Sequence, residues 1–183
     1  LYKVKGLGIT LSEEQYKKFK ERIAEEHLED YLDVKLMDYR DLEKSGLEFD
    51  RVVSVGMLEH VGRENYELFM QNVSAVLKKK GLFLLHYISG LKESQGDAFI
   101  RKYIFPGGVI PSLREIINIA SDMKFYTIDV ESLRRHYMMT LLEWHKNYHA
   151  NMDKIEPMFD EEFRRMWDLY LSSCAAVFKN GIT

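Results

Sequence analysis

The stretch DRVVSVGMLEHVG, residues 50–62, decides the fold class of this 183-residue chain. Its first part, DRVVSVGM, is the near-continuous apolar run that is typical of a strand buried in a parallel sheet. Glu59 and His60 follow where such a strand would end. Because ligands of open α/β sheets bind beyond the carboxyl ends of the strands, this stretch predicts a parallel sheet and a site beside it.

Strands and helices alternate through the first half of the chain. Strands are predicted over residues 4–10, 32–38 and 82–88, and helices over residues 13–30 and 64–79. Ser12 and Gln15 have the S-x-x-Q spacing of a capping box at the start of the first helix. KKKG, residues 78–81, is interpreted as a turn. This alternation indicates βαβ units and an α/β fold with a parallel sheet.

The second half of the chain is predicted to be mostly helical. A Pro/Gly loop, YIFPGGVIPSL, is followed by a helix near residues 113–122 and by a late strand, FYTIDVES. Two long helices are predicted at about residues 133–152 and 160–179, the second with a wide apolar stripe that most simply packs in the core. We therefore divide the chain into a βαβ part, residues 1–90, and a part with the loop, late strand and helices, residues 91–183.

Composition and charge exclude several kinds of partner. The net charge is −3 and no long run of one sign occurs, which argues against a nucleic-acid partner. The single cysteine, Cys174, cannot form an internal disulfide. With no signal peptide and no 18-residue apolar run, the chain is predicted to be cytoplasmic.

Polar side chains follow each predicted strand and are the candidate site residues: Thr10, Asp38, Tyr39, Glu59, His60 and His86. An acid beside an aromatic ring, as in Asp38-Tyr39, could hold a nucleoside by hydrogen bonding and stacking. Each residue also has a structural interpretation: Asp38 as a turn residue, Gln15 as a cap only, and His86 as a core histidine. Their shared position at strand ends favours a site.

Several other kinds of site are disfavoured by the sequence. GLGITL places its glycines in or before the strand, not in the turn after it, and no P-loop or G-x-S-x-G elbow occurs. His145 and His149 lie four residues apart on one predicted helix, but no acid is predicted in register with them. Because a metal site needs three or four ligands, we predict none.

Seven blocks of the sequence resemble, in the same order, blocks of the cyclopropane-fatty-acyl-phospholipid synthases and, more loosely, of the mycolic acid cyclopropane synthases. They are GLGITLSEEQ, MDYRDL, FDRVVSVGMLEHVGRENY, GLFLLHYI, KYIFPGGVIPSLREI, HYMMTLLEWHKNY and FRRMWDLYLSSCAAVF. The resemblance implies a class I, Rossmann-like, S-adenosylmethionine-dependent methyltransferase fold, with residues 1–183 as part of the catalytic domain. The family's first strand with its Gly-rich loop, its N-terminal lipid-binding region and its last strand have no counterpart in these residues. The fold is therefore expected to be truncated, with two unpaired strand edges.

The resemblance also implies the chemistry. The family adds a methylene across a cis double bond of a phospholipid acyl chain: the alkene attacks the sulfonium methyl, and bound bicarbonate takes a proton from the resulting carbocation so that the ring closes. The bicarbonate would be held by Glu59, His86, the backbone of Ile88, and Tyr137. S-adenosylmethionine would be held by Thr10, Gln15, Asp38, Tyr39 and His60. Cys174 matches a family cysteine near the site, and we interpret it as a packing residue.

The substrate implied is a membrane phospholipid, so peripheral contact with the inner face of the membrane is expected. Residues 1–183 alone are expected to be inactive and to associate with a second copy through the unpaired edges. Two alternatives stay open. The chain could belong to another S-adenosylmethionine-dependent N- or C-methyltransferase, or it could be a non-catalytic remnant that acts as an interaction module.

Overall fold

The structure, a computed structural model, describes residues 3–181. These residues fall into two compact units. The first unit contains residues 3–53 and 67–84, and the second contains residues 54–66 and 85–181.

The first unit opens with the predicted β-α-β sequence: β1 (Gly6–Thr10), α1 (Glu13–Glu25) and β2 (Leu32–Leu36). β1 and β2 pair in parallel, from Gly6 opposite Leu32 to Thr10 opposite Leu36, so the predicted parallel pairing is confirmed. Helix α1 ends before the predicted residue 30. His27 adopts a positive φ of 54°, a left-handed backbone conformation of the kind that closes helices.

Two serines begin helices in different ways. At α1, the Ser12 hydroxyl accepts a hydrogen bond from the backbone of Gln15 at 3.2 Å. The Gln15 side chain bonds Thr10 instead of returning to the Ser12 backbone, so only half of the predicted capping box forms. The complete box lies at α3 (Leu113–Asp122), where Ser112 and Glu115 cap each other reciprocally. The sequence interpretation overlooked this second box.

A second pair of strands follows: β3 (Phe49–Val55) and β4 (Leu77–His86), with α2 (Tyr66–Val76) between them. The prediction that residues 78–81 form a turn is wrong, because β4 begins directly after α2. Lys78, Lys79 and Lys80 belong to the first part of β4. The Lys78 ammonium lies 3.3 Å from the Asp50 carboxylate of β3. The strands of residues 3–181 form two separate two-stranded sheets, β1–β2 and β3–β4.

The second unit is built on helices α3, α4 (Arg134–Ala150), the short α5 (Met152–Ile155) and α6 (Glu161–Asn180). Its core lies between α4 and α6 and consists of Leu141, Tyr148, Tyr170, Leu171 and Ala175. Cys174 packs against this cluster with its side chain partly buried. None of the helices within residues 3–181 combines the length and the apolar character needed to cross a membrane.

The predicted late strand is wrong. Residues 125–133 have no regular secondary structure, and Tyr126, Ile128 and Val130 are 92%, 79% and 53% exposed. The alternation of apolar residues is that of a strand, but a strand also needs a hydrogen-bonded neighbour. No strand among the described residues pairs with this segment.

Candidate functional site

Glu59 lies in a 3₁₀ turn, Leu58–His60, directly after β3. Leu58 is completely buried and anchors this turn, and the Glu59 carbonyl accepts a hydrogen bond from Val109 at 2.9 Å. The side-chain Oε1 of Glu59 accepts from the Ile88 backbone N–H at 2.8 Å. Its Oε2 is buried and has no hydrogen-bond partner among residues 3–181. One carboxylate oxygen is therefore held in place while the other is left available.

Two tyrosines with buried hydroxyl groups, Tyr66 and Tyr87, interact electrostatically with Glu59. Burial, with a further contribution from Glu115 and a smaller one from Glu59, raises the pKa of Tyr66 to about 12. Burial also raises the pKa of Tyr87 to about 12, with smaller contributions from both carboxylates and a partial offset by the neighbouring Ser89 hydroxyl. The Tyr66 hydroxyl is buried and finds no partner in the described part of the chain. Both phenols stay protonated at neutral pH and can act as hydrogen-bond donors.

Tyr137 is a partly buried residue of helix α4. Burial, then the Cys174 thiol and Glu59, raise its pKa. Its ring centroid lies 4.8 Å from that of Phe178 and 6.4 Å from that of Trp144. Of the three residues predicted to act together, Glu59 and Ile88 share a hydrogen bond, and the link between Glu59 and Tyr137 is electrostatic.

Arg63 and Glu115 form an ion pair beside these residues. Arg63 Nε donates to Glu115 Oε1 at 2.5 Å, and Arg63 Nη1 donates to the Ser94 carbonyl at 3.2 Å. The remaining nitrogen, Nη2, is buried without a partner in the described residues. Sequence reasoning missed this pair and Tyr66, because Glu115 is 52 positions away from Arg63 and nothing in the spacing joins them.

The two predicted histidines are exposed. His86 lies at the end of β4 on the same exposed face as Leu82 and Leu84, and its backbone carbonyl accepts from Gly56 at 2.9 Å. The imidazole of His86 makes no hydrogen bond to any described residue. His60 is exposed and its ring packs edge-on against Phe105, with centroids 6.0 Å apart. The structure thus brings neither imidazole to the Glu59 carboxylate by a direct contact.

In the first unit, Thr10 and Gln15 meet at the carboxyl end of β1. The Thr10 hydroxyl donates to Gln15 Oε1 at 2.7 Å and accepts from the Ser12 backbone at 3.1 Å. The Thr10 carbonyl accepts from Met37 at 3.0 Å, which places the residues after β2 beside the end of β1. The predicted gathering of these polar groups at one sheet edge is therefore seen in this unit.

Asp38, which follows β2, is fully engaged by Arg40. Its Oδ1 accepts from the Arg40 backbone at 2.9 Å, and the guanidinium bonds both carboxylate oxygens, the shortest contact being 2.6 Å. This interaction lowers the pKa of Asp38, so the carboxylate is charged at neutral pH. Tyr39 packs edge-on against Phe69, with centroids 5.6 Å apart. Asp38 caps the turn of which Tyr39 is the first residue. Asp38 is therefore a turn residue, and it also remains a candidate cofactor-binding residue.

The prediction that no acid lies in register with His145 and His149 is wrong. Asp168 of α6 places Oδ1 2.6 Å from His149 Nε2 and 3.0 Å from His145 Nε2. The acid comes from a different helix, so the spacing along α4 could not reveal it.

All of residues 1–183 match the sequence model of the mycolic acid cyclopropane synthetase family. The chain is 40% identical to cyclopropane-fatty-acyl-phospholipid synthase of Escherichia coli (strain K12), over 97% of the chain and 45% of that protein. It is 39% identical to a Pseudomonas putida protein named probable fatty acid methyltransferase, over 98% of the chain and 47% of that protein.

A solved structure is also similar. The crystal structure of mycolic acid cyclopropane synthase CmaA1, complexed with SAH and CTAB, matches with a TM-score of 0.87 and 31% identity, over 99% of this chain and 67% of that one. This match confirms the predicted class I, Rossmann-like methyltransferase fold. The chain spans about half the length of the curated relatives it matches. Since the family model covers every residue, the chain belongs to the mycolic acid cyclopropane synthetase family.

Proposed function

We propose that the protein containing this chain uses S-adenosylmethionine to add a methylene across a cis double bond of a phospholipid acyl chain, forming a cyclopropane ring. The observation that carries this proposal is the Glu59 carboxylate, with Oε1 fixed by the Ile88 N–H and Oε2 buried without a partner in the described chain. A buried carboxylate oxygen that lacks a donor is unfavourable unless a ligand supplies one. The chemistry that the family resemblance implies uses bound bicarbonate, which has an O–H that could donate to Glu59 Oε2.

Bicarbonate fits the donors and acceptors around Glu59. It carries one O–H, which Glu59 Oε2 can accept, and oxygens that can accept from protonated phenols. Tyr137 supplies such a phenol, because its pKa is raised by burial and Glu59 is among the nearby charges. The Ile88 N–H contributes indirectly, because it fixes Glu59 Oε1. The exposed side chain of His86 is the remaining residue proposed to bind bicarbonate. When bound, bicarbonate supplies the base that accepts the proton lost on ring closure.

Aromatic rings near Tyr137 suit a reaction that passes through a cation. The Tyr137 ring is in contact with Phe178 and lies beside Trp144, and Phe105 packs on Tyr170 with centroids 6.1 Å apart. Aromatic faces stabilise cations and apolar walls keep water away from them. Tyr137, Phe178 and Tyr170 are buried or partly buried and would stabilise the carbocation until its proton is removed, whereas Trp144 and Phe105 are 47% and 41% exposed.

S-adenosylmethionine, when bound, supplies the electrophilic methyl group. Thr10, Gln15, Asp38 and Tyr39 of the first unit are the residues proposed to hold it, and the role of His60, which belongs to the second unit, stays a prediction from the sequence. Asp38 is charged, as a hydroxyl acceptor should be, but its oxygens already accept from Arg40. The Arg40 side chain is 63% exposed, so it is free to swing away and release acceptor positions for a ribose.

The substrate class places the protein at a membrane. We propose peripheral contact with the cytoplasmic face, where phospholipid acyl chains are accessible to a cytoplasmic enzyme. Association of residues 1–183 with a second copy stays a prediction, motivated by the 65% and 63% exposure of Val53 and Val55 on β3. Light scattering and calorimetry test residues 1–183 alone. A folded monomer that binds S-adenosylmethionine tightly would contradict both the predicted association and the predicted inactivity.

A second candidate is methyl transfer to the same double bond without ring closure. The name of the Pseudomonas putida relative, a fatty acid methyltransferase, favours it. Both reactions begin with the same carbocation, and they differ in how the proton is removed and where the new bond forms. The site around Glu59 favours ring closure, because it offers a place for a base.

The experiment uses a chimera, because the chain covers about half of its relatives. Residues 1–183 replace the matching segment of the Escherichia coli synthase in a strain that lacks its own enzyme, and the acyl chains are analysed by gas chromatography and mass spectrometry. Cyclopropane fatty acids that disappear in Glu59→Gln support the proposal. Methyl-branched products alone support the second candidate.

A chimera that folds and binds S-adenosylmethionine but leaves every acyl chain unmodified would overturn both reactions. Circular dichroism and calorimetry with the cofactor make that outcome distinguishable from a chimera that is simply unfolded. For a chimera that does not fold, the purified native protein is assayed instead on vesicles of phosphatidylethanolamine with cis-unsaturated chains.

A further inference from the structure

Three metal-ligating side chains of the second unit converge away from Glu59. His145 and His149 lie one turn apart on α4, and Asp168 faces them from α6. The two Nε2 atoms are 3.3 Å apart. Both point at the same carboxylate oxygen, with distances of 3.0 Å and 2.6 Å to Asp168 Oδ1.

We propose that His145, His149 and Asp168 bind a divalent transition-metal ion of the zinc class. Two donors that each lie about 2.0–2.1 Å from a tetrahedral ion are separated by roughly 3.3 Å. The two imidazole nitrogens already have this separation. The Asp168 oxygen is slightly too close, so metal binding requires it to withdraw by less than about 1 Å, which one side-chain rotation can provide.

The contacts without a metal place two ring nitrogens beside one carboxylate oxygen. Asp168 Oδ1 can accept a hydrogen bond from the Nε2–H of each ring, but then the two Nε2–H groups face each other across 3.3 Å. A metal ion would use the Nε2 lone pairs in place of these hydrogen bonds, and each neutral ring would then carry its proton on Nδ1. Imidazole and carboxylate are ligands that suit zinc, cobalt and nickel, whereas magnesium and calcium prefer oxygen-only sites.

The helices that carry the ligands are held by their own core. Leu141 and Leu171 are buried between α4 and α6, and the Tyr148 hydroxyl donates to the Arg164 carbonyl of α6 at 3.0 Å. The ligand side chains remain 33% to 51% exposed. An ion can therefore reach the cluster from solvent and keep a water as its fourth ligand. Once bound, it would cross-link α4 to α6.

The test uses the untagged protein, freed of metal with a chelator and titrated with Zn²⁺ by calorimetry. We expect one ion per chain and a dissociation constant below about 10 μM. His149→Ala and Asp168→Asn are expected to weaken binding at least about tenfold, because each removes one of three ligands. His136→Ala is the matched control, since it removes an exposed histidine from the same helix.

Cobalt provides a readout that depends on geometry. Co²⁺ bound at a tetrahedral site gives intense visible absorption, which Zn²⁺ should displace and which His149→Ala should abolish. Binding should also weaken as the pH falls, because protons compete for the imidazoles. The proposal is overturned if the wild-type protein binds neither ion at micromolar concentration, or if His149→Ala and His136→Ala weaken binding equally. Thermal unfolding of the metal-free variants verifies that each is folded.

Discussion

Two carboxylates that follow β-strands have opposite surroundings in the two units. Asp38, after β2 in the first unit, accepts four contacts from Arg40 and has both oxygens engaged. Glu59, after β3 in the second unit, has one oxygen fixed by Ile88 and one buried without a partner in the described chain. The first arrangement is complete in itself, whereas the second leaves a buried acceptor to which a ligand could donate. The two carboxylates therefore share a position at a strand end and differ in how many of their oxygens are satisfied.

The strongest test of this difference is Glu59→Gln. In the active chimera or native protein, we expect the rate of cyclopropane formation to fall about 10²–10⁴-fold, since the group that orients the base is neutralised. Affinity for S-adenosylmethionine should change less than about threefold, because Gln can still accept from Ile88. Product analysis and calorimetry measure the two effects. Glu67→Gln, an exposed change on α2, is the control, and equal rates for both variants would contradict the role of Glu59.

The two capping serines extend the comparison to stability. Ser112→Ala should lower the free energy of unfolding by about 2 kcal/mol, because Ser112 is buried, caps α3 and donates to Glu93 at 2.6 Å. Ser12→Ala should lower it by only about 0.5 kcal/mol, since its box is half formed and exposed. Urea denaturation of both variants gives the values. A larger loss for Ser12→Ala would show that the complete box is not the stronger cap.

Asp38→Asn tests whether a satisfied carboxylate also binds cofactor. We expect the dissociation constant for S-adenosylmethionine to rise about tenfold, the effect of one lost charge-assisted hydrogen bond. Because Arg40 holds the pKa of Asp38 below its ordinary value, the part of the affinity that depends on this charge should be constant above about pH 5 and lost only at lower pH. Calorimetry at several pH values measures this, with Asp41→Asn in the same turn as the control. Unchanged affinity in Asp38→Asn would leave Asp38 as a turn residue only.

The smallest expected effect distinguishes two buried tyrosines. Tyr148→Phe should lower the free energy of unfolding by about 1 kcal/mol, because it deletes the bond to the Arg164 carbonyl. Tyr66→Phe should leave it unchanged or raise it by up to about 1 kcal/mol, because it removes a buried hydroxyl without a partner in the described residues. Urea denaturation without added bicarbonate is the measurement. Equal losses would show that the Tyr66 hydroxyl is satisfied after all.

Much of the fold follows from periodicity along the chain. The parallel pairing of β1 with β2, the helix at residues 113–122 and the long terminal helices all agree with the sequence. The predicted late strand is absent from the described residues. The alternation at Tyr126, Ile128 and Val130 is typical of a strand, but a strand forms only where a neighbouring strand can pair with it. KKKG, residues 78–81, is typical of a turn, but these residues lie in β4. The local sequence cannot reveal their pairing with β3, because the paired strand is distant along the chain.

The candidate site was only partly predictable for the same reason. Glu59 could be found from its position after a strand, and the roles of Ile88 and Tyr137 came from the family resemblance. Arg63 with Glu115, and Asp168 with the two histidines, are pairs between distant elements that no local spacing reveals. The near-continuous apolar run LFLLHYI predicts a strand buried on both faces, whereas one face of β4, with Leu82, Leu84 and His86, is exposed.

The exposed segment from Tyr126 to Val130 has a consequence for handling the protein. It alternates apolar and polar side chains, contains no proline and carries only Asp129 as a charged group. Extended segments of this composition are templates for intermolecular β-pairing. Concentrated solutions should therefore form aggregates that begin at this segment, and a lysine in place of Ile128 is the substitution that most directly prevents them.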